Sequence, residues 1–312
     1  MAVLDVEVEQ VAATPARGGR LVFWLAVGWI AVVGSAAIAA DWLPLTSPSD
    51  MDLLARRAAP SADHWLGADE LGRDILSRLV FGARISLTVG LVAPLLGLVI
   101  GGGLGMLAGY FRGLFETLVV GGIDVLLAFP PLVLALAITT YLGQSVLNVT
   151  ITLGILSIPA LTRVARAATL TFAEREFVTA ARALGAGHVR ILLRELLPNI
   201  ALPLIAFFLL AVAVIIVVEG ALSFLGLGVP PPAPSWGSMI AEGRDSLDTA
   251  PSIAFLPAAA MFLTVLAFNM VGDRPRGVGR STESCSTASR GGPVTGPLVA
   301  DRSRRAADRR PC

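Results

Sequence analysis

The chain has 312 residues, 55% of them hydrophobic and 15% charged, with a mean hydropathy of +0.76 and a formal net charge of +1. That is too apolar for a soluble domain whose surface must be wetted, so the chain is read as a membrane protein. All 24 basic residues are arginine, which excludes a P-loop lysine and a Schiff-base lysine, and the two histidines (His64, His188) and two cysteines (Cys285, Cys312) are too few for the usual zinc sites or a Cys-His nucleophile.

Residues 1–20 are a polar tail with no evident cleavage site, and Arg17 and Arg20 flank the first span, 21–40, which predicts a cytoplasmic N-terminus. Residues 41–83 are an external arm of mixed charge, broken by Pro44, Pro48 and Pro60, in which Arg56, Arg57, Arg73 and Arg78 mingle with Asp63, Asp69, Glu70 and Asp74. His64 is read there as an ordinary loop residue. A five-helix core then occupies 84–272. Its first helix, about Ile85 to Tyr110, contains GLVIGGGLGMLAG; no strand precedes this and no ribose-binding acid follows, so the glycines predict close helix packing and not nucleotide binding. Arg112 marks a turn, and the third span, about Leu118 to Tyr141, is interrupted by Pro130 and Pro131. The fourth, about Val146 to Ala168, carries Arg163 and Arg166 at its inner end. A polar loop over 171–199 leads to the fifth span, Ile200 to Val218. An external loop, 219–252, is stiffened by Pro230, Pro231, Pro232 and Pro234, with Trp236 as an aromatic interface anchor, and the sixth span is about Ile253 to Val271. Six crossings from an internal N-terminus place 171–199 and the C-terminus in the cytoplasm.

The inner loop contains EFVTAARALGAGHVRILLRELLPN, Glu176 to Asn199. Phe177, Ala180, Ala181 and Leu184 fall at i, i+3, i+4 and i+7, which predicts one apolar stripe on a helix with Arg175, Thr179 and Arg182 off it. Gly185 or Gly187 can end that helix in the left-handed conformation. A second helix follows with Val189, Leu192, Leu193 and Leu196 on one side, and Pro198 stops it. Small alanines let a protein surface approach closely and arginines meet acidic partners. The same arginines would also suit an amphipathic helix lying on anionic lipid, although such a helix carries larger apolar residues and needs no hinge.

This segment resembles the EAA loop of ABC importer permeases, in which Glu-Ala-Ala, a following glycine and a Leu-Pro form coupling helices that dock on the ATPase. Ala180, Ala181, Gly185, Leu197 and Pro198 stand at matching places, joined at the contact by Glu176 and Thr179; Thr179 replaces a frequent glutamate and Glu195 a frequent isoleucine. HWLGADELGRDILSRLVFGARISLTVG, the LAFP at 127–130, LSFLGLGVPPPAPSWGSMIAEGRD and TVLAFNMVGD narrow the resemblance to dipeptide and oligopeptide permeases of the DppC/OppC type, over about His64 to Asp273. It implies an all-α polytopic membrane protein of about six transmembrane helices with a cytoplasmic coupling helix pair. It further implies a second permease subunit as heterodimer partner, two ABC ATPase subunits, an external solute-binding protein and the lipid bilayer, with no nucleic acid. The chain would bind no cofactor itself, the ATP and magnesium being used by the ATPases, and would carry dipeptides or oligopeptides, or in the alternative nickel or another small solute. It would be a transport subunit of the inner membrane and not an enzyme.

Asp124 and Glu219 are the candidate acids for a translocation path. Asp124 either contacts the path or pairs with an arginine in the bundle, and Glu219 either lines the path or sits at the interface where the fifth span ends. A membrane-embedded enzyme would need more polar groups at depth than these, and a passive channel would need no cytosolic docking element. After Asp273 the character changes: residues 273–312 are expected to be a disordered basic tail, in which nine arginines face only Glu283, Asp301 and Asp308 from 274 onward. A frame shifted by one nucleotide after Asp273 would allow codons for the Gly-Leu that the family has there, so the tail is read as an out-of-frame ending, against the alternative of a basic segment on the inner membrane surface.

Overall fold

The computed structural model describes residues 18–288, with side chains from Arg20 to Asp273. Ten helices follow in chain order: α1 (Gly18–Ala39), α2 (Ile75–Phe111), α3 (Gly113–Leu127), α4 (Pro131–Leu142), α5 (Val146–Ala173), α6 (Glu176–Ala183), α7 (His188–Arg190), α8 (Leu197–Phe224), α9 (Trp236–Glu242) and α10 (Ser252–Ala288). A π-helical segment, Ile191–Leu196, joins α7 to α8. No strand occurs among the described residues beyond one isolated bridge, Ala68 with Asp74. The chain divides into two units, 1–276 and 277–312; the packing described below is within the first, and the second contributes the end of α10.

Five segments are long and apolar enough to cross a bilayer: Arg20–Ala39, Ile75–Phe111, Val146–Ala173, His188–Phe224 and Ser252–Asp273. The third expected span is not one straight crossing. Its two halves, α3 and α4, meet at an angle of 84° around Pro130 and count as a sixth span only if taken together. At 1.5 Å per residue they are about 22 and 18 Å long, so neither alone spans a core of about 30 Å. Pro131 sits at the first helical position of α4, where its missing N–H costs nothing.

The middle of the bundle is built on α2 against α5. Gly97, Gly101, Gly105 and Gly109 recur every four residues on one face of α2. A methyl group on Gly97 would lie 2.6 Å from the Ser157 Cβ, on Gly101 2.6 Å from the Ile158 carbonyl oxygen, and on Gly109 2.8 Å from the Thr169 Cβ, while at Gly105 it would collide with the Thr162 carbonyl. Lipid is as apolar as leucine and gives helices no hydrophobic reason to associate, so close backbone approach supplies the contact. The facing hydroxyls of Ser157, Thr162 and Thr169 donate back to the carbonyls of Leu153, Ile158 and Ala165, so these three donors are paired within α5. The packing role read for the glycine run therefore holds.

The end of the bundle at which α2 begins departs from expectation in several ways. Asp74 caps α2 by accepting from the Ser77 N–H at 2.7 Å, so the helix starts at Ile75 and residues 75–83 belong to it and not to the arm. His64 has a partner, its Nδ1 lying 3.2 Å from the Asp74 Oδ1. Trp236 is no interface anchor: it is 1% exposed, its indole N–H donates to the Leu79 carbonyl at 3.0 Å, and its backbone N–H donates to the Ser86 Oγ at 3.1 Å. Tryptophan suits either environment, and here the Ser235 and Ser238 capping box folds the loop inward and carries the ring under the helix ends. The arm is clamped onto the segment 236–246: Arg73 donates to Asp69 at 2.6 Å and to Glu242 at 2.5 Å, Arg78 donates to Glu242 at 2.9 Å, and Glu70 accepts from Arg57 at 3.1 Å and from Ser246. At the other edge Arg84 caps α1 through the Ala37 carbonyl (2.9 Å) and pairs with Asp41 (2.8 Å).

α10 is helical to Ala288, so the first fifteen residues after Asp273, expected to be disordered, continue a helix. Extending an existing helix requires no new nucleus, which offsets their polar composition. Residues 289–312 and 1–17 lie outside the described residues.

Candidate functional site

The segment singled out in the sequence forms a hairpin against the C-terminal ends of α2 and α5. Val178, fully buried, anchors α6 in a cluster with Tyr110, Ala173, Ile191, Leu192 and Leu196, around which Phe177 and Ala181 are partly buried. The expected stripe is thus split: Phe177 and Ala181 turn toward the bundle, while Ala180 and Leu184 are exposed, Leu184 by 88%; Thr179, off the stripe, is exposed too. Periodicity missed Val178 because an eight-residue helix offers too few turns to fix which face is inward.

Gly185 ends α6 with φ +80°, whereas Gly187 is extended with φ −71° and starts α7. The Gly185 N–H donates to the Arg182 carbonyl (2.9 Å) and the Ala186 N–H to the Ala181 carbonyl (3.0 Å), the paired bonds of a Schellman motif. In the second half the expected face, Val189, Leu192, Leu193 and Leu196, is wrong for two members: Val189 is 69% and Leu193 54% exposed, and Ile191 is buried instead. The cause is the π turn, closed by the Leu197 N–H on the Leu192 carbonyl, which shifts the register. It lies directly before Pro198, whose ring crowds the carbonyl four residues back. Leu197 and Pro198 are exposed, as are Glu176 and Gly185.

Tyr110 pins the hairpin to α2. Its hydroxyl lies 2.9 Å from the His188 Nδ1, the two rings meet edge to face at 5.7 Å, and the Arg182 guanidinium stands 5.3 Å from the tyrosine centroid. Sequence reasoning missed this node; the signal was an aromatic at the end of an otherwise small-residue helix, with no spacing that links it to His188. What the hairpin offers outward is a set of small and apolar groups (Ala180, Leu184, Val189) flanked by exposed Arg190 and Arg194. A cleft on another protein can receive the former, and acidic side chains the latter.

The two path candidates separate. Glu219 is completely buried inside α8, which continues past Val218 to Phe224, and its carboxylate accepts from Ser223 and Ser235 at 2.8 Å each, with the Ser86 hydroxyl at 3.4 Å. Through these bonds it holds the loop before α9 against α2 and α8. Asp124 is paired with Arg163 at 2.7 Å, and both side chains are more than half exposed. The structure does not bring Asp124 and Glu219 together.

The Asp124 pair is one of three between α3 and α5. Arg112 meets Glu174 at 2.7 Å, Arg166 meets Glu116 through both Nε and Nη2, and Arg163 meets Asp124, in antiparallel order along the two helices. These partners were not expected individually, since nothing in the sequence fixes the rotation of α3 about its axis.

Residues 101–275 match the family model described as "Binding-protein-dependent transport system inner membrane component". The match therefore ends where the composition changes. The chain is 42% identical over 231 residues to the glutathione transport system permease protein GsiD of Pectobacterium atrosepticum, covering 74% of this chain and 77% of that one. It is 44% identical over 238 residues to the protein of the same name from Escherichia coli, covering 76% and 78%. Among solved structures it resembles a chain of the MetNI methionine ABC transporter, described in inward-facing conformations, with a TM-score of 0.55 at 19% identity over 65% of this chain and 97% of that one, a likeness of fold. With a bundle of five or six membrane helices and a match over more than half its length, the chain belongs to the inner-membrane permease components of binding-protein-dependent transport systems, and it is a permease subunit of an ABC importer.

Proposed function

We propose that this chain is one of two permease subunits of an inner-membrane ABC importer for short peptides and peptide-like solutes, a class that includes the glutathione of the relatives' names. The partner is a second, non-identical permease, an external solute-binding protein delivers the cargo, and the N- and C-termini are cytoplasmic. ATP and magnesium are bound by two ATPase subunits, which grip the hairpin of α6 and α7 through Glu176, Thr179, Ala180, Ala181, Gly185, Leu197 and Pro198. The carrying observation is the hairpin itself: a rigid α6 closed by a Schellman turn, anchored by Val178 and Tyr110, with Ala180 and Leu184 exposed. Movement of the ATPases is passed through Ala173 and Val178 to α5 and through Ile191 to α8, which tilts the bundle between outward and inward access.

The test is copurification of the complete complex. Ala180→Glu places a longer, charged side chain at an exposed position of the proposed contact without disturbing the buried cluster. ATPase recovery should fall at least tenfold, the loss expected for a central contact residue, while the melting temperature of the permease stays within about a degree. Undiminished ATPase recovery would remove the hairpin from the contact. Uptake of glutathione and of dialanine by the reconstituted complex, each competed by the other, tests the cargo class.

A further inference from the structure

The geometry points to the Asp124–Arg163 pair as a cargo site for zwitterions, in which Arg163 takes the carboxylate of a peptide and Asp124 its ammonium group; this rests on the peptide-importer reading above. The pair lies within membrane-type helices and not in a loop. Arg163 is ten residues, about 15 Å at 1.5 Å per residue, from the end of α5 at Ala173, and Asp124 is eleven residues, about 16 Å, from the start of α3 at Gly113. Both belong to segments apolar enough to cross a bilayer, α3 together with α4.

Away from their ends, the other membrane-type helices carry no exposed charge. Among the described residues, α2 has no charged side chain between Arg84 and Arg112, α8 has only the buried Glu219, and α10 has none from Ser252 to Gly272. The outward side chains of those helices, such as Val99, Val214, Phe255 and Phe262, suit lipid. A guanidinium 59% exposed and a carboxylate 54% exposed do not. Ionisable groups within membrane helices face a water-filled cavity or a polar partner.

The pair also has spare capacity, unlike its neighbour. Glu116 receives two donors from Arg166 and is only 19% exposed, so that rung of the ladder is closed. Arg163 reaches Asp124 through a single bond, Nη2 to Oδ1 at 2.7 Å, which leaves its Nε and Nη1 donors and the Asp124 Oδ2 available. A zwitterion can therefore add one charge-assisted bond to each member without opening the pair. A lone anion or cation gains only one such bond and meets the like charge beside it. Contacts of this kind exchange water for peptide at small net gain, which fits a passage the cargo must leave.

The experiment uses the complete nucleotide-free complex with Val125→Cys as reporter, in a chain whose Cys285 and Cys312 are serine. Val125 is 64% exposed beside Asp124, and the substitution leaves the ion pair intact. A cationic, membrane-impermeant methanethiosulfonate should label the cysteine, and millimolar dialanine should slow labelling about tenfold while N-acetyl-alanyl-alanine amide does not; Arg163→Gln should abolish the protection, in keeping with loss of one charge-assisted bond. An unlabelled cysteine, equal protection by the blocked peptide, or protection that survives Arg163→Gln would each overturn the site. Uptake of dialanine by the unaltered complex is measured in the same preparation. Its absence would mean that the peptide reading has failed, whereas uptake with any of the three contrary labelling results would refute only this site.

Discussion

The arm-side cap and the hairpin at the opposite end of α2 are both rich in arginine, yet they use it in opposite ways. In the cap, Arg73 and Arg78 have side chains only 7% and 2% exposed and are locked between Asp69 and Glu242, which fastens the 41–74 arm to the segment around α9. In the hairpin, Arg190 and Arg194 are exposed, Arg182 stacks on Tyr110, and the segment is held through a single cluster and a glycine turn. A buried arginine network resists change because removal of one member strands the charge of another. An exposed hairpin on one anchor can be gripped and pulled. One end of the bundle is thus clamped, and the other is the end that the proposed coupling would move, with the glycine seam of α2 and α5 between them.

The sharpest way to break that contrast is Arg78→Met. It leaves Asp69 and Glu242 short of a buried partner and should lower stability by about 3 kcal/mol, read as a fall in melting temperature of the purified complex and faster proteolysis within 41–74. ATPase recovery per folded permease should be unchanged; a parallel loss of ATPases would mean that the two ends are not separable. A smaller effect is expected in the seam. Gly105→Ala drives a methyl into the Thr162 carbonyl and should cost about 1–3 kcal/mol through overpacking. Gly103→Ala, with open space around it, should be neutral or stabilising by up to about 1 kcal/mol from helix propensity. Equal melting temperatures for the two variants would show that the seam is not close-packed.

The helices were legible because a bilayer demands long apolar runs, and the small-residue seam because four-residue glycine spacing has one physical use in a membrane. What stayed hidden depends on rotation and on contacts across the sequence. The charge of Asp124 was visible, but whether it met Arg163 or a cavity turned on the rotation of α3, and it does meet Arg163. Glu219 looked like the end of a span because its hydroxyl partners Ser86 and Ser235 lie 133 and 16 residues away. Trp236 looked like a membrane-surface anchor because composition cannot tell a folded-in loop from a loop that lies on lipid. The same holds for the hairpin: Gly185 was recognisable as a hinge, while the π turn before Pro198 moved Val189 and Leu193 outward and Ile191 inward.

The finest test of the contrast lies at Gly185. Its φ of +80° is needed for the two Schellman bonds, and no atom stands within 4 Å of where a side chain would begin, so a substitution there acts through the backbone alone. Alanine in this conformation costs about 1 kcal/mol, and asparagine, which tolerates it, costs less. Because the hairpin hangs on its own cluster, the cost should appear as a roughly fivefold weaker ATPase affinity, with the melting temperature of the bundle almost unmoved. Gly185→Asn should recover most of the affinity. If Gly185→Ala instead lowered the melting temperature as far as Arg78→Met does, the turn would be as integral to the body as the arginine clamp of the arm, and the hairpin could not serve as an independently gripped lever.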